Sequence, residues 1–221
     1  MFGIELLAVP YMVTQIGFAE CERHKMPEIN LQTIREDIIY DVTKSHNQLE
    51  QFSIDTVSPY EAGVHSKISG LMSGDINVSM TANIAWSTHP ISKDTCMWYD
   101  KVNLTMTSSP TIYIASEHNQ DRCRYNATLR HEMKHIAVDE ALMRKYRNIF
   151  DSEIRRSLRQ NAIYGPFNAN QIEAQRASMN QDIQKTIERI LADMKAERRE
   201  KQQRIDSKHE YDHLSRLCGG R

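Results

Sequence analysis

The 221-residue chain predicts an α+β fold: an antiparallel β meander packed on a long helix, with a second long helix behind it. Three observations predict this. Residues 75–86 and 97–106 alternate apolar and polar side chains with period two. From Cys123 to about Ala162 the apolar residues recur with period 3.6, with no Pro or Gly among them. After Tyr164-Gly165-Pro166-Phe167, a second stretch of helical pattern continues to Leu217.

Taken in chain order, residues 2–19 hold one ionisable side chain, Glu5, and the first basic residue of the chain is Arg23. Leu6 to Phe18 supply an apolar core, and Gly17 and Ala19 are small residues suited to a cleavage site, so residues 1–19 are expected to be a signal peptide. A positively charged start is missing, which leaves a buried N-terminal strand or helix as the alternative. Residues 31–42 suggest a strand and Ser45 to Phe52 a short helix.

In 75–86, Ile76, Val78, Met80, Ala82, Ile84 and Trp86 alternate with Asn77, Ser79, Thr81 and Asn83, the mark of a half-buried strand with one wet face. Val102, Leu104 and Met106 repeat the pattern. Ser108-Ser109-Pro110 makes a turn, and 111–115 returns as a third strand.

The helical segment then places Tyr125, Leu129, Met133, Ile136, Leu142, Met143, Tyr146, Ile149 and Phe150 along one stripe, as one helix or as two with a break near Asn148–Ser152. Gly165-Pro166 ends it, because Pro removes a donor and Gly frees the backbone. From about Asn168, Ile172, Met179, Ile183, Ile187, Ile190 and Met194 form the stripe of the second helix. Its stretch Lys195 to Arg204 is polar on every side, as in a solvated helical arm.

Composition excludes several classes of function. Twenty-eight Lys+Arg against 29 Asp+Glu give a formal net charge of −1, without the cationic excess that holds nucleic acid. With 40% apolar and 26% charged residues the chain is neither disordered nor fibrous. No apolar run reaches the roughly 18 residues needed to span a bilayer. The four cysteines, Cys21, Cys96, Cys123 and Cys218, form no CxxC pair, so an even set beside a signal peptide points to disulfides and a secreted or periplasmic location. Three connectivities are open; Cys96–Cys123 with Cys21–Cys218 is the expected one.

The chemistry lies in His131-Glu132-Met133-Lys134-His135 on the first long helix. Positions i and i+4 share a helical face, so both imidazoles can reach one metal ion. Glu132, beside them, can act as general base toward a water that the metal acidifies. The ordinary alternative is a pair of satisfied histidines on a structural helix.

HEMKHIAVDEAL resembles the active-site helix of the zincin metallopeptidases, and Asp139 matches a thermolysin-like HExxHxxxD pattern. Residues 96–150, including CRYNATLRHEMKH, also resemble uncharacterised bacterial families of predicted secreted Zn-dependent proteases. The resemblance covers about a quarter of the chain. It implies a zincin-like fold over residues 20–166, a zinc ion held by His131 and His135, and Glu132 as catalytic base; residues 167–221 form the C-terminal helix. Residue 141 is Ala where a metzincin has its third His, so the third ligand is open.

Asp139, a turn beyond His135, is too far along the helix to share the ion and is better placed to orient an imidazole or to make a surface contact. Glu153 would serve if the helix breaks and folds back. If the two helices form an antiparallel hairpin about Gly165, residue 133 faces about residue 197, which brings in Glu197 or Glu200. A second HExxH, His209 to His213, lies in a charged stretch near the chain end and is taken as coincidence on a solvated helix. The triplets at Asn77, Asn103 and Asn126 match glycosylation acceptors but arise freely on wet strand faces. The 11 methionines fall at core positions and are taken as gap-filling.

The expected function is a zinc-dependent peptidase whose partner is a protein or peptide substrate, with 111–115 as the edge strand that pairs with it. A non-catalytic, disulfide-stapled interaction protein with an incidental or structural His pair is the alternative. A metal hydrolase of a non-peptide bond is a third.

Overall fold

A computed structural model describes Cys21 and residues 26–52, 56–60 and 67–219. The expected signal peptide, residues 1–19, lies outside the described residues. The elements, in order, are β1 (Glu28–Arg35), β2 (Ile39–Asp41), α1 (His46–Leu49), β3 (Gly70–Ser73), β4 (Ile76–Thr88) and β5 (Asp94–Ser108). They continue with β6 (Thr111–Ile114), α2 (Arg122–Gln160), β7 (Tyr164–Asn168), α3 (Ile172–Ile205) and α4 (Lys208–Leu217). No helix among the described residues is long and apolar enough to cross a membrane.

β5 is the central strand of the larger sheet, with β4 antiparallel on one side, and β1 parallel and β7 antiparallel on the other. Its buried residues are Thr95, Met97 and Tyr99, then Val102, Leu104, Met106 and Ser108. The phase changes because the β4–β5 register shifts after Asn83, so that Asp100 is the extra residue of a bulge. Without the bulge one half of the strand would turn its apolar side chains to water.

The expected three-strand meander ends after two strands. At Ser109-Pro110 the chain leaves the large sheet, and β6 becomes the middle strand of a second sheet, between β2 (parallel) and β3 (antiparallel). β1 makes the same turn alongside, with the Glu36 amide donating to the Ser108 carbonyl at 2.9 Å and the Ile39 amide to the Pro110 carbonyl at 3.1 Å. The parallel pair β1–β5 thus continues round the corner as β2–β6, and the single strand expected over 31–42 is two. With both edges paired, residues 111–115 cannot take a substrate strand; that expectation is corrected.

α2 is one unbroken helix of 39 residues, started by the Asp121 side chain, which accepts from the amides of Cys123 and Arg124. It spans both sheets. Leu142, Met143, Tyr146, Phe150, Ile154 and Leu158 pack with Met179, Ile183, Ile187, Ile190 and Met194 of α3 against the large sheet. Each such side chain contributes about 1.5–3 kcal/mol by leaving water. Nearer its N-terminus, Ile136 packs with Ile112 and Ile114 of β6 in a smaller core.

Three further expectations are corrected here. Tyr164 to Phe167 form a strand that includes the cis Gly165–Pro166 bond, and the second helix is interrupted at Asp206-Ser207, which separates α3 from α4. The disulfides are Cys21–Cys96 and Cys123–Cys218. Cys21 reaches Cys96 on β5, whereas the helical hairpin returns the end of α4 to the start of α2, so the partners of the expected pairing are exchanged. Two disulfides fit an oxidising, extracellular setting.

Candidate metal centre

The N-terminal half of α2 buries Thr128, His131, Glu132, His135 and Asp139. Of these, His131, His135 and Asp139 meet the last turns of α3, where Arg198, Gln202 and Asp206 are also buried. The helices run antiparallel, so the residues meet in reverse order: Asp139 with Arg198, His135 with Gln202, His131 with Asp206. The polar run 195–204, expected to be solvated, therefore supplies buried partners.

Three donor atoms converge. Asp206 Oδ1 lies 3.1 Å from His131 Nε2 and 3.2 Å from His135 Nε2, and the two Nε2 atoms are 3.4 Å apart. A tetrahedral zinc ion with bonds of about 2.0–2.1 Å has ligand–ligand edges of about 3.3–3.4 Å. The donor set and its spacing fit such an ion with little movement. His131, His135 and Asp206 form a group among the described residues that could hold a metal.

The surrounding contacts point the donors inward. Gln202 Oε1 is 2.5 Å from His135 Nδ1, so Nδ1 carries a proton and Nε2 faces the centre. The Gln202 amide donates to Asp139 Oδ1 at 2.8 Å and to the His135 carbonyl at 3.2 Å. Asp139 accepts a two-pronged bond from Arg198, at 2.8 and 3.0 Å, and Arg198 also donates to the Gly74 carbonyl at 2.8 Å. Asp139 thus acts on His135 through Gln202 rather than by touching the imidazole. Tyr211 donates its hydroxyl to Asp206 Oδ1 at 2.9 Å and packs its ring on His131.

Glu132 faces the β3 side. Burial pushes its carboxyl up to about 7, against the opposing pull of His131 and His135 and of the Met72 amide, which donates to it. Burial alone would also raise Asp206, but hydrogen bonds from His131 and His135 prevail and hold it well below the usual carboxylate range. For His135 burial works against the charged form, but the bond to Asp206, the charges of Glu132 and Asp206 and the bond to Gln202 together outweigh it, so its pKa is raised. β3 approaches α2 closely at Gly70, where a Cβ would lie 2.2 Å from Thr128 Cγ2 and 3.0 Å from Glu132 Oε1. Beside these groups opens a cavity of about 800 Å³ lined by Met72, His118, Glu132, Asp206 and Tyr211.

The structure brings His131, Glu132 and His135 together as the motif requires. It leaves out all three expected carboxylates. Glu153 binds Arg156 and Arg189 at 2.5 and 2.6 Å, Glu197 binds Lys145 at 2.5 Å and Tyr146 at 3.0 Å, and Glu200 binds Arg204 at 2.5 Å. β7 and the 3₁₀ turn Ala169–Gln171 lengthen the connection between the helices. The partner of residue 133 thereby moves about two helical turns beyond residue 197, toward Asp206.

Sequence reasoning missed Asp206 and the role of α4. The signal was Ser207-x-x-Glu210, the pattern of a helix start; Ser207 does accept from the Glu210 amide, placing a break next to Asp206. In the second HExxH, His209 and His213 are exposed as expected, but Glu210 and Tyr211 reach the site. Compared with known proteins, the chain matches no family model, no curated protein and no solved structure.

Proposed function

We propose that the protein is a zinc-dependent hydrolase of peptide bonds, with His131, His135 and Asp206 as the protein ligands and Glu132 as general base. The observation that carries this reading is the mutual spacing of the three donor atoms, 3.1 to 3.4 Å, beside a buried carboxyl on the wall of a cavity. Three ligands leave a fourth position for water, and a bound zinc ion supplies Lewis acidity that brings such a water's pKa to about 7.

Glu132 takes a proton at its carboxylate and returns one to the leaving amine, a task suited to a carboxyl that titrates near neutrality. His131 and His135 keep their Nε2 lone pairs toward the ion. Asp206 adds negative charge to the ligand set. Burial of these groups excludes bulk water and strengthens each electrostatic contact.

β3 supports the choice of an extended peptide as substrate. It pairs with β6 on one side, and residues 67–75 line the cavity. A peptide added along β3 would gain main-chain hydrogen bonds and pass next to Glu132.

The test is Glu132→Gln, assayed for zinc content and for cleavage of an unstructured protein substrate. The expected result is one zinc per chain with turnover reduced at least 100-fold. Unchanged turnover would favour a non-catalytic role, and a parent chain without zinc would remove the metal centre itself.

A further inference from the structure

α4 has no buried residue, yet two of its side chains reach the metal centre. Glu210 Oε1 lies 3.6 Å from His131 Nδ1 and also binds Lys134. Tyr211 donates to Asp206 Oδ1 at 2.9 Å. Among the described residues the helix is also held by the Cys123–Cys218 disulfide at its end, the bond from the Tyr60 hydroxyl to Asp212 at 3.2 Å and the contact of the Tyr211 ring with Tyr60.

His131 Nδ1 is buried and has no hydrogen-bond partner among the described residues. Such an atom is costly unless something completes it. If His131 Nε2 is to offer its lone pair to a cation, the ring proton must sit on Nδ1, and a buried N–H there requires an acceptor. Glu210 is in place to supply one after a shift of about half an ångström, to ordinary hydrogen-bond length. His135 already has its acceptor in Gln202, at 2.5 Å, so the two imidazoles differ in this one respect.

We propose that α4, stapled to the start of α2 by Cys123–Cys218, is a clamp that completes the metal centre. Glu210 accepts a hydrogen bond from the Nδ1–H of His131, and Tyr211 donates to the ligand oxygen of Asp206. Both are positioning residues. The second HExxH then carries function through its Glu and its neighbouring Tyr, and the disulfide acts on the site by holding their helix in place. This rests on the metal-centre reading above.

The experiment is zinc affinity of the full chain by chelator competition, for the parent, Glu210→Ala, Glu210→Gln and the pair Cys123→Ser/Cys218→Ser. Glu210→Ala and the serine pair should each weaken zinc binding about 10–100-fold. Glu210→Gln, whose amide oxygen still accepts a hydrogen bond, should recover most of the loss, which a merely structural role for Glu210 does not predict. Affinity within threefold of the parent for either Glu210→Ala or the serine pair overturns the proposal. If the serine pair fails to fold, Glu210→Ala, which keeps both disulfides, decides it. A parent chain that binds no zinc refutes the metal-centre reading and this clamp with it, an outcome distinct from a variant that binds as tightly as the parent.

Discussion

Asp206 Oδ1 stands 3.1 Å from His131 Nε2 although 75 residues separate them in sequence. The contact joins the end of α3 to the first turns of α2, and in the proposed metal centre it supplies the third ligand. Asp206→Ala should reduce zinc affinity at least 100-fold, because a two-histidine site loses both a bond and the negative charge. Glu153→Ala, Glu197→Ala and Glu200→Ala should leave zinc stoichiometry unchanged, since each carboxylate is engaged by cations elsewhere. Equilibrium dialysis of the four variants separates these outcomes; retention of parent affinity by Asp206→Ala sinks the assignment.

The local part of this site was legible in the sequence. The i, i+4 histidines and the intervening Glu need only a helix, and the 3.6 period from Tyr125 to Phe150 declares one. Strands with alternating apolar residues were legible for the same reason, one period at a time. What lay beyond reach depended on distance between elements. The register of α3 on α2 is set by the length and path of the connection through β7, which the sequence presents only as a Gly-Pro turn. A polar stripe such as Arg198, Gln202 and Asp206 looks like a solvated face until its partner, the equally polar face of α2, is known. The exchange of β6 into a second sheet likewise turns on a corner made jointly with β1, and no single segment carries that signal.

Metal-free stability should report the environment of Glu132. Its carboxyl is raised from 4.5 to about 7, so the folded state keeps a proton that the unfolded chain releases near pH 4.5. The penalty from this group is absent below its unfolded pKa, grows as pH rises, and is complete above about pH 7, where it amounts to roughly 3 kcal/mol. Glu132→Gln removes the ionisation. In chelator-treated protein the variant should therefore exceed the parent by about 2–3 kcal/mol at pH 8 and match it near pH 4, as measured by urea unfolding. An equal gap at both pH values would mean that ionisation of Glu132 is not the cause.

Gln202 links His135 to Asp139, and its loss should be felt without any metal. Gln202→Leu keeps the volume approximately but leaves His135 Nδ1 and one bonding position of Asp139 without their partner. An unsatisfied buried polar group costs about 1–3 kcal/mol. Urea unfolding of the metal-free variant should show a loss in that range; a change below about 0.5 kcal/mol would show that the amide is not needed to hold the ring.

Gly70 sets how closely β3 lies on α2, and therefore where a peptide on β3 would stand relative to Glu132. A methyl group at this position meets Thr128 Cγ2 at 2.2 Å, a contact that cannot persist, and comes within 3.0 Å of Glu132 Oε1 and of the Tyr113 carbonyl. Gly70→Ala should destabilise the chain by about 1–3 kcal/mol, the usual cost of overpacking. Thr128→Ser deletes the methyl that suffers the worst clash while keeping the hydroxyl. In Gly70→Ala/Thr128→Ser about half the loss should return, the remainder reflecting the two 3.0 Å contacts with oxygen, one of them on the backbone of β6. Thermal unfolding of the two single variants and the double variant forms a complete cycle, and strict additivity would show that the strand and helix do not meet through this pair.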